Sequence, residues 1–152
     1  MNNRIKASAA VDIEADRNKV WEILTTPGKV KQFMLGMQPK SDWKEGSELR
    51  WQGRHEEKPD DNARGTIVTM EEGSRLAYTF YYPGYGYPDR EEYYNLVSFE
   101  LQPLETKTLV TVEQGDFSVF KEGEEFAKHS TQFWVAALQK LKELAEESGM
   151  DK

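Results

Sequence analysis

Four polar side chains fall at positions where the sequence pattern predicts burial. His55 alternates with the apolar residues of a predicted strand, and Asn95, Gln114 and Ser130 occupy the apolar faces of other predicted elements. An imidazole titrates near neutral pH, so His55 is a candidate general base. A lone histidine at a strand end, followed here by the acidic loop "EEKPDD", is more often structural. The four groups therefore predict either internal hydrogen bonds or a few polar contacts to an apolar ligand.

Most catalytic and metal-binding chemistries lack their residues in this chain. There are no cysteines, which excludes a thiol nucleophile, a disulfide and a zinc–thiolate site. The two histidines, His55 and His129, are far apart, and no H-E-x-x-H spacing is present. The sequence contains neither a phosphate-binding loop nor a G-x-S-x-G nucleophile elbow. It therefore predicts no metal, no cofactor and no catalytic residues, and it favours a protein that is not an enzyme.

The charge balance bears on the partners of the chain. Its 152 residues contain 20 Lys and Arg against 27 Asp and Glu, which gives a net charge of −7 at pH 7. A negative net charge disfavours binding to nucleic acid and to anionic membranes. There is no apolar N-terminal segment and no apolar run of membrane-spanning length. These features predict one cytoplasmic domain over residues 1–152.

The hydrophobic pattern places the polar candidates on an α+β framework. "IKASAAVDIEA" alternates as a half-buried strand over residues 4–14, and two short helices follow at "ADRNKVWEILTT" and "PGKVKQFM". Turn residues then separate a run of strands. The last segment, "EGEEFAKHSTQFWVAALQKLKELAEESG", carries one apolar stripe and predicts a long helix. Because that stripe must be covered, the helix should lie against the apolar face of an antiparallel sheet.

The pairing of the later strands follows from their alternation. If Tyr78 and Phe80 face the helix, an antiparallel partner strand must present its own inward residues opposite them. For the first hairpin the predicted pairs are Tyr82 with Tyr93, Phe80 with Asn95, and Tyr78 with Val97. For the second hairpin they are Leu101 with Thr108, Phe99 with Val110, and Asn95 with Gln114.

Six of the seven tyrosines lie in "YYPGYGYPDREEYY", residues 81–94, at the first hairpin. The predicted pairing puts Tyr81 and Tyr94 on the outer face of the sheet, where they are exposed unless a partner covers them. Tyr85 and Tyr87 fall at the loop tip and are candidates for a mobile lip over a cavity. The apolar cluster of Met34, Leu35 and Met37 is a second candidate for a gate, because methionine side chains adapt their shape.

Several segments together resemble a known family. They are "VWEILTTPGKVKQFM", "DWKEGSELRWQG", "GTIVTMEEGSRLAYTFYY" and "LVSFELQPLETKTLVTVEQGDF", followed by a helix that contains Trp134. Nearly the whole chain resembles the bacterial proteins similar to the heat-shock-protein-90 ATPase activator, in the START-like (SRPBCC) superfamily. The resemblance implies the helix-grip fold of birch pollen allergen, with a curved six-stranded antiparallel sheet around a long C-terminal helix and two short helices after strand 1. It also implies a cavity for a hydrophobic ligand between sheet and helix.

The residues and the resemblance together predict noncatalytic binding of a small hydrophobic or aromatic molecule. The expected ligand-binding residues are Trp51, His55, Tyr78, Phe80, Tyr82, Tyr93, Asn95, Gln114, Ser130 and Trp134. One alternative is a cyclase- or hydrolase-type enzyme that acts on such a ligand, with His55 close to a tyrosine or to Asn95. Another is a protein-interaction or co-chaperone-like module, a homodimer included, that uses Tyr81, Tyr85, Tyr87 and Tyr94 as its contact surface.

Overall fold

A computed structural model describes residues 5–34, 36–52 and 63–150 of the chain, with side chains described as far as residue 147. Its strands and helices, in chain order, are β1 (Lys6–Ile13), α1 (Arg17–Leu24), α2 (Pro27–Phe33), β2 (Gln38–Lys40), β3 (Glu48–Gln52), β4 (Arg64–Glu71), β5 (Arg75–Phe80), β6 (Asn95–Leu104), β7 (Lys107–Gly115) and α3 (Gly123–Met150). Two single-turn 3-10 helices, Pro83–Tyr85 and Glu91–Tyr93, lie between β5 and β6.

The strands form one antiparallel sheet in the order β1-β7-β6-β5-β4-β3-β2, which curls as a half-barrel against α3. The predicted α+β helix-grip fold is confirmed. The predicted number of six strands is wrong, because the described residues form seven. The additional strand is β2, which has only three residues and contains Pro39. Proline has no backbone N–H to donate, so it is tolerated at the edge position that β2 occupies.

The two short helices begin where the sequence predicts. The Asp16 carboxylate caps α1 by accepting a 2.9 Å hydrogen bond from the Lys19 N–H, and Pro27 occupies the first turn of α2. The apolar side of α1 is buried through Val20, Trp21, Ile23 and Leu24. These helices therefore supply part of the hydrophobic core.

The long helix α3 lies across the inner face of the sheet. Ala137, Leu141 and Ala145 are completely buried along the predicted apolar stripe. Two polar contacts hold the end of the helix to β1: Lys142 Nζ donates to the Asp12 carbonyl at 2.9 Å, and the Glu14 N–H donates to Glu146 Oε2 at 2.9 Å. Helix and sheet are thus fixed to each other at this end of the molecule.

The first predicted hairpin is correct within its strands. Phe80 pairs with Asn95 and Tyr78 with Val97, as expected. The predicted pair of Tyr82 with Tyr93 is wrong, because the ladder between β5 and β6 ends at Phe80 and Asn95. Beyond that point the chain turns into the two short 3-10 helices, and Tyr81 makes its backbone bridge with Arg64 instead.

The second predicted hairpin is displaced by two residues. Leu101 pairs with Val110, Phe99 with Val112, and Val97 with Gln114. The predicted pairs correspond to a turn centred one residue too early, whereas the observed turn consists of Glu105 and Thr106 between Leu104 and Lys107. Side chains alternate with a period of two, so an error of two residues leaves every inward residue on the inward face.

Candidate functional site

A cavity of about 220 Å³ lies between the inner face of the sheet and α3. Strands β3, β5 and β7, the helix α3, the connection after α2 and the connection between β5 and β6 all contribute to its wall. The described residues that line it are Met34, Met37, Trp51, Gln52, Ala63, Tyr78, Phe80, Tyr82, Tyr85, Gln114, Ser130, Phe133 and Trp134. Most of this wall is aromatic or aliphatic, which is the usual character of a site for a small organic ligand.

Seven of the ten predicted site residues are in this lining: Trp51, Tyr78, Phe80, Tyr82, Gln114, Ser130 and Trp134. Asn95 does not line the cavity, but it accepts a hydrogen bond from the lining residue Gln114. The ring of Tyr93 packs against Tyr87 and Phe120 instead of lining the cavity. His55 lies outside the described residues. Ligand binding by this set remains a prediction, but the structure brings most of its members together.

The remaining lining residues were harder to recognise in the sequence. The sequence pattern predicts a gate at Met34 and Met37 and a lip at Tyr85. The fourth residue, Phe133, lies on the apolar stripe of α3. Gln52 follows Trp51 on β3, so strand alternation places its side chain on the opposite face, and Ala63 immediately precedes β4. Neither residue type signals a cavity by itself.

A buried chain of polar groups connects the sheet to α3 beside the cavity. Trp134 Nε1 donates to Gln114 Oε1 at 2.9 Å, and Gln114 Nε2 donates to Asn95 Oδ1 at 3.2 Å. All three residues are buried. The predicted backbone pair of Asn95 with Gln114 is wrong by the two-residue shift, yet their side chains meet diagonally across β6 and β7. This amide chain fixes the helix against the sheet.

Two hydrogen-bond donors in and near the wall have no acceptor. Trp51 Nε1 and Asn95 Nδ2 are buried and have no hydrogen-bond partner among the described residues. The hydroxyl of Tyr78 is also buried, and burial raises the pKa of Tyr78 well above its usual range. Tyr78 is therefore neutral at physiological pH and keeps its proton to donate. The rings of Trp51 and Tyr78 are neighbours, with centroids 5.9 Å apart.

Tyr85 forms a fixed part of the wall. Its ring stacks on Phe126 at a centroid distance of 4.1 Å and meets Tyr82 edge-on at 5.2 Å. Burial raises the pKa of Tyr85, while a hydrogen bond with the Ser130 hydroxyl acts in the opposite direction. Tyr87 is held as well: its hydroxyl donates to Glu122 Oε1 at 2.7 Å and accepts from the Lys121 N–H at 2.9 Å. The two tyrosines at the predicted loop tip are thus anchored to α3 and to the segment before it.

The outer tyrosines do not form an exposed surface. Tyr81 is only 5% exposed, because its ring stacks on Tyr94 at 5.2 Å and is covered by the Arg64 guanidinium at 5.0 Å. Asp89 accepts hydrogen bonds from Tyr94 at 2.6 Å and from Arg64 at 2.8 and 3.0 Å. Those hydrogen bonds, from Tyr94 first and Arg64 second, hold the pKa of Asp89 below its usual value. The expectation that Tyr81 and Tyr94 stand exposed is wrong: Tyr81 is buried and Tyr94 half-buried, because the two rings stack, Arg64 covers Tyr81, and Asp89 from the loop between them accepts from the Tyr94 hydroxyl.

A second, much smaller void of about 20 Å³ lies deeper in the core. It shares Met34, Trp51 and Tyr78 with the wall of the main cavity and extends toward Leu24 and Phe99. These shared side chains are the partition between the two spaces.

Residues 14–146 match the model of the family described as Activator of Hsp90 ATPase homolog 1-like protein. The chain belongs to this family. The resemblance found in the sequence segments is thereby confirmed, and the START-like helix-grip architecture is the one that the family's structures share.

Solved structures of similar proteins agree with this membership of the Hsp90-activator-like family. The protein ChR145 from Cytophaga hutchinsonii is 33% identical, covers 99% of both chains and superposes with a TM-score of 0.79. The Aha1 dimer from Colwellia psychrerythraea is 17% identical over 93% of this chain and 96% of its own, with a TM-score of 0.73. CalU16 from Micromonospora echinospora is 22% identical over 97% and 88% of the two chains, with a TM-score of 0.70. No curated protein matches the chain.

The cavity of this Hsp90-activator-like protein offers neutral hydrogen bonds and apolar contact. None of its described lining residues is a carboxylate or a cation; the polar groups are amides, hydroxyls and two indole N–H groups. Within the described part of the chain there is no group of three His, Asp or Glu side chains that could hold a metal. Nor does any described helix combine the length and apolar character needed to cross a bilayer.

Proposed function

We propose that the protein binds a small hydrophobic or aromatic molecule, without catalysis, in the cavity between the sheet and α3. The observation that carries this proposal is the cavity itself, a space of about 220 Å³ walled by aromatic and methionine side chains. A void of this size in a core is unfavourable when it is empty, because the lining side chains lose contacts that a ligand restores. The site thus favours an occupant of complementary shape.

The volume limits the size of the occupant. An apolar cavity of roughly 150 Å³ is sufficient for benzene. The space here is about half as large again, at about 220 Å³. It therefore suits a molecule of one or two rings, and it is too small for a long acyl chain or a sterol in this conformation.

Binding can be tested by titration with naphthalene, monitored by tryptophan fluorescence. Trp51 and Trp134 line the cavity and should report occupancy. The Ser130→Phe variant fills the cavity from α3 and should weaken naphthalene binding by at least tenfold. Ser8→Phe is the matched control: Ser8 is exposed on β1, on the face of the strand opposite to the buried Ala7, and it does not line the cavity, so this variant should bind as the parent does.

Native mass spectrometry of freshly purified protein is the complementary experiment, because it detects a copurified small molecule directly. A mass adduct that is lost in Ser130→Phe would support the proposal. Absence of any adduct, together with no naphthalene binding by the parent protein, would contradict it.

We infer self-association as a second candidate, supported by one observation: the Aha1 structure from Colwellia psychrerythraea is a dimer. The tyrosines of residues 81–94 are poorly suited to that contact, because Tyr81 and Tyr94 are engaged within their own chain. Light scattering coupled to size-exclusion chromatography should give a mass of twice 17.6 kDa if the chain dimerises. A constant mass of one chain up to millimolar concentration would contradict this candidate.

A further inference from the structure

The described cavity wall contains a buried hydrogen-bond donor without an acceptor. Trp51 lines the cavity, is 4% exposed, and its Nε1 has no acceptor among the described residues. An indole N–H can only donate, and a buried donor without a partner is destabilising because it has lost its hydrogen bonds to water. Such an orphan group is uncommon in a folded protein and points to an absent partner.

A second donor stands next to the indole. Tyr78 lines the same cavity and is 3% exposed, and its hydroxyl can donate a hydrogen bond. Its ring centroid is 5.9 Å from that of Trp51. One acceptor atom placed between neighbouring rings can receive hydrogen bonds from both groups, because an sp² oxygen carries two lone pairs.

One of the two amides in the wall, that of Gln114, is already engaged. Gln114 accepts through Oε1 from Trp134 and donates through Nε2 to Asn95, so both ends of its side chain have partners. The wall thus presents the Trp51 indole as a buried donor without an acceptor, and the unpaired Asn95 Nδ2 lies directly behind it. A ligand that supplies an acceptor complements it better than a pure hydrocarbon does.

Charge restricts the ligand further. The described lining contains no lysine, arginine or histidine that could pair with an anion. Burying a carboxylate without a counter-charge is far more costly than burying a neutral carbonyl that receives hydrogen bonds. The acceptor should therefore belong to an uncharged group.

We propose that the cavity selects neutral one- or two-ring compounds that carry a carbonyl oxygen, which accepts hydrogen bonds from Trp51 Nε1 and the Tyr78 hydroxyl. This inference rests on the proposed function, because it requires that the cavity binds a small molecule. It adds the chemical class of the ligand and the two residues that recognise it.

The test compares 1-indanone with indane, which share a two-ring skeleton and differ by the ketone. Both are titrated by two-dimensional NMR into the parent protein and into Trp51→Phe, which keeps an aromatic ring but removes the donor. We expect Trp51→Phe to weaken 1-indanone binding by about five- to tenfold, the equivalent of one net hydrogen bond. Indane binding should change by less than about twofold, since the hydrocarbon makes no such bond.

The indole N–H resonance of Trp51 provides a direct readout. It should move downfield with 1-indanone and not with indane, because a hydrogen bond deshields the proton. Tyr78→Phe is the second variant, and it should also reduce 1-indanone affinity selectively. It keeps the test decisive if Trp51→Phe fails to fold, which a thermal unfolding scan would reveal.

A second probe pair examines charge. Acetophenone and benzoate have similar size, and at pH 8 only benzoate is ionised; acetophenone should bind at least tenfold more tightly. Binding of benzoate at equal strength would overturn the proposed neutrality of the ligand.

The outcomes separate the two proposals. If the parent protein binds none of these probes, the binding function itself fails and the ligand class fails with it. If indane and 1-indanone bind, but Trp51→Phe and Tyr78→Phe weaken both equally, the binding function stands and the proposed recognition of a carbonyl is overturned. Selective loss of 1-indanone binding supports both.

Discussion

At the scale of single residues, Gln114 makes the most consequential polar contacts in the core. It receives the indole N–H of Trp134 from α3 and donates to Asn95 on the neighbouring strand. A buried amide of this kind is favourable only while its partners are present, because each unpaired polar group carries a desolvation cost. Gln114 therefore stabilises one arrangement of the helix on the sheet.

We predict that Gln114→Leu destabilises the protein by about 1–3 kcal/mol, because it leaves Trp134 Nε1 and Asn95 Oδ1 without partners. Urea unfolding followed by circular dichroism measures the change. Gln102→Leu is the matched control: Gln102 is exposed on β6, and its replacement should alter the free energy of unfolding by about 0.5 kcal/mol or less. An equal midpoint for Gln114→Leu and the parent would show that the amide chain contributes nothing to stability.

Several of these residues were recognisable from the sequence alone. Asn95, Gln114 and Ser130 are polar side chains on faces that the alternation assigns to the interior, and alternation is a local property. Their hydrogen bonds were not predictable, since the Gln114–Asn95 contact depends on the register between β6 and β7 and the Trp134 contact on where α3 crosses the sheet. The missing acceptor for Trp51 Nε1 was not predictable either, because it depends on which groups the fold brings near the indole.

At the scale of elements, the connection between β5 and β6 is braced on two sides. Its inner side packs Tyr85 against Phe126 of α3. Its outer side is held by Asp89, which pairs with Arg64 and accepts from Tyr94. A connection of this length is usually among the least stable parts of a domain, so the brace has a local rather than a global effect.

We predict that Asp89→Asn increases hydrogen exchange of the amides in residues 83–92 by about three- to tenfold while the global stability falls by less than about 1 kcal/mol, since the pair is partly exposed. Glu91→Gln, an exposed carboxylate of the same connection, is the control and should leave exchange unchanged. Because the pKa of Asp89 is lower in the folded state, the ionised carboxylate stabilises the folded protein. This stabilisation is complete above the unfolded-state pKa and is lost as the pH falls below about 4. If hydrogen exchange in Asp89→Asn is as slow as in the parent, Asp89 does not hold the connection between β5 and β6.

The pairing of β4 with β5 depends on a glycine. A Cβ added to Gly65 would lie 1.7 Å from the carbonyl oxygen of Thr79, so the two backbones are too close for any side chain. We predict that Gly65→Ala destabilises the protein by about 3 kcal/mol or more, the upper end of what overpacking costs. Gly28→Ala is the matched control, because a Cβ there meets nothing within 4 Å and alanine favours the helix α2. Chemical unfolding of the two variants should show opposite or clearly unequal shifts of the midpoint.

The order of elements follows from the sequence, but some boundaries do not. The α3 stripe, the Asp16 cap of α1 and Pro27 at the start of α2 are local signals and were predicted correctly. Strand β2 was missed because its three residues are too few to show a period, and its partner β3 decides whether it pairs at all. The β6–β7 turn was displaced because both candidate turns keep the same residues inward, so the hydrophobic pattern cannot distinguish them.

At the scale of the whole molecule, the cavity lies between the two layers that must come together in folding. A ligand there contacts the sheet and α3 together, so it binds the folded state alone. Occupancy should therefore raise the stability of the domain as a unit.

We predict that 1-indanone at ten times its dissociation constant stabilises the protein by about 1.4 kcal/mol, which raises the unfolding temperature by about 3–6 °C for a chain of this size. Differential scanning fluorimetry measures the shift. Ser130→Phe, with the cavity filled, should show no ligand-dependent shift, whereas Ser8→Phe should respond as the parent does. A shift of equal size in Ser130→Phe would place the ligand elsewhere on the protein.

The partition between the main cavity and the small void beneath it rests partly on Met34. Methionine is unbranched and has three rotatable bonds, so it changes shape without displacing the backbone. The upper limit on ligand length is consequently set by a side-chain rotamer instead of by the sheet. Substitutions at this one position are then a route to altered selectivity: alanine should extend the range toward longer molecules, and a β-branched residue should narrow it, with the scaffold unchanged.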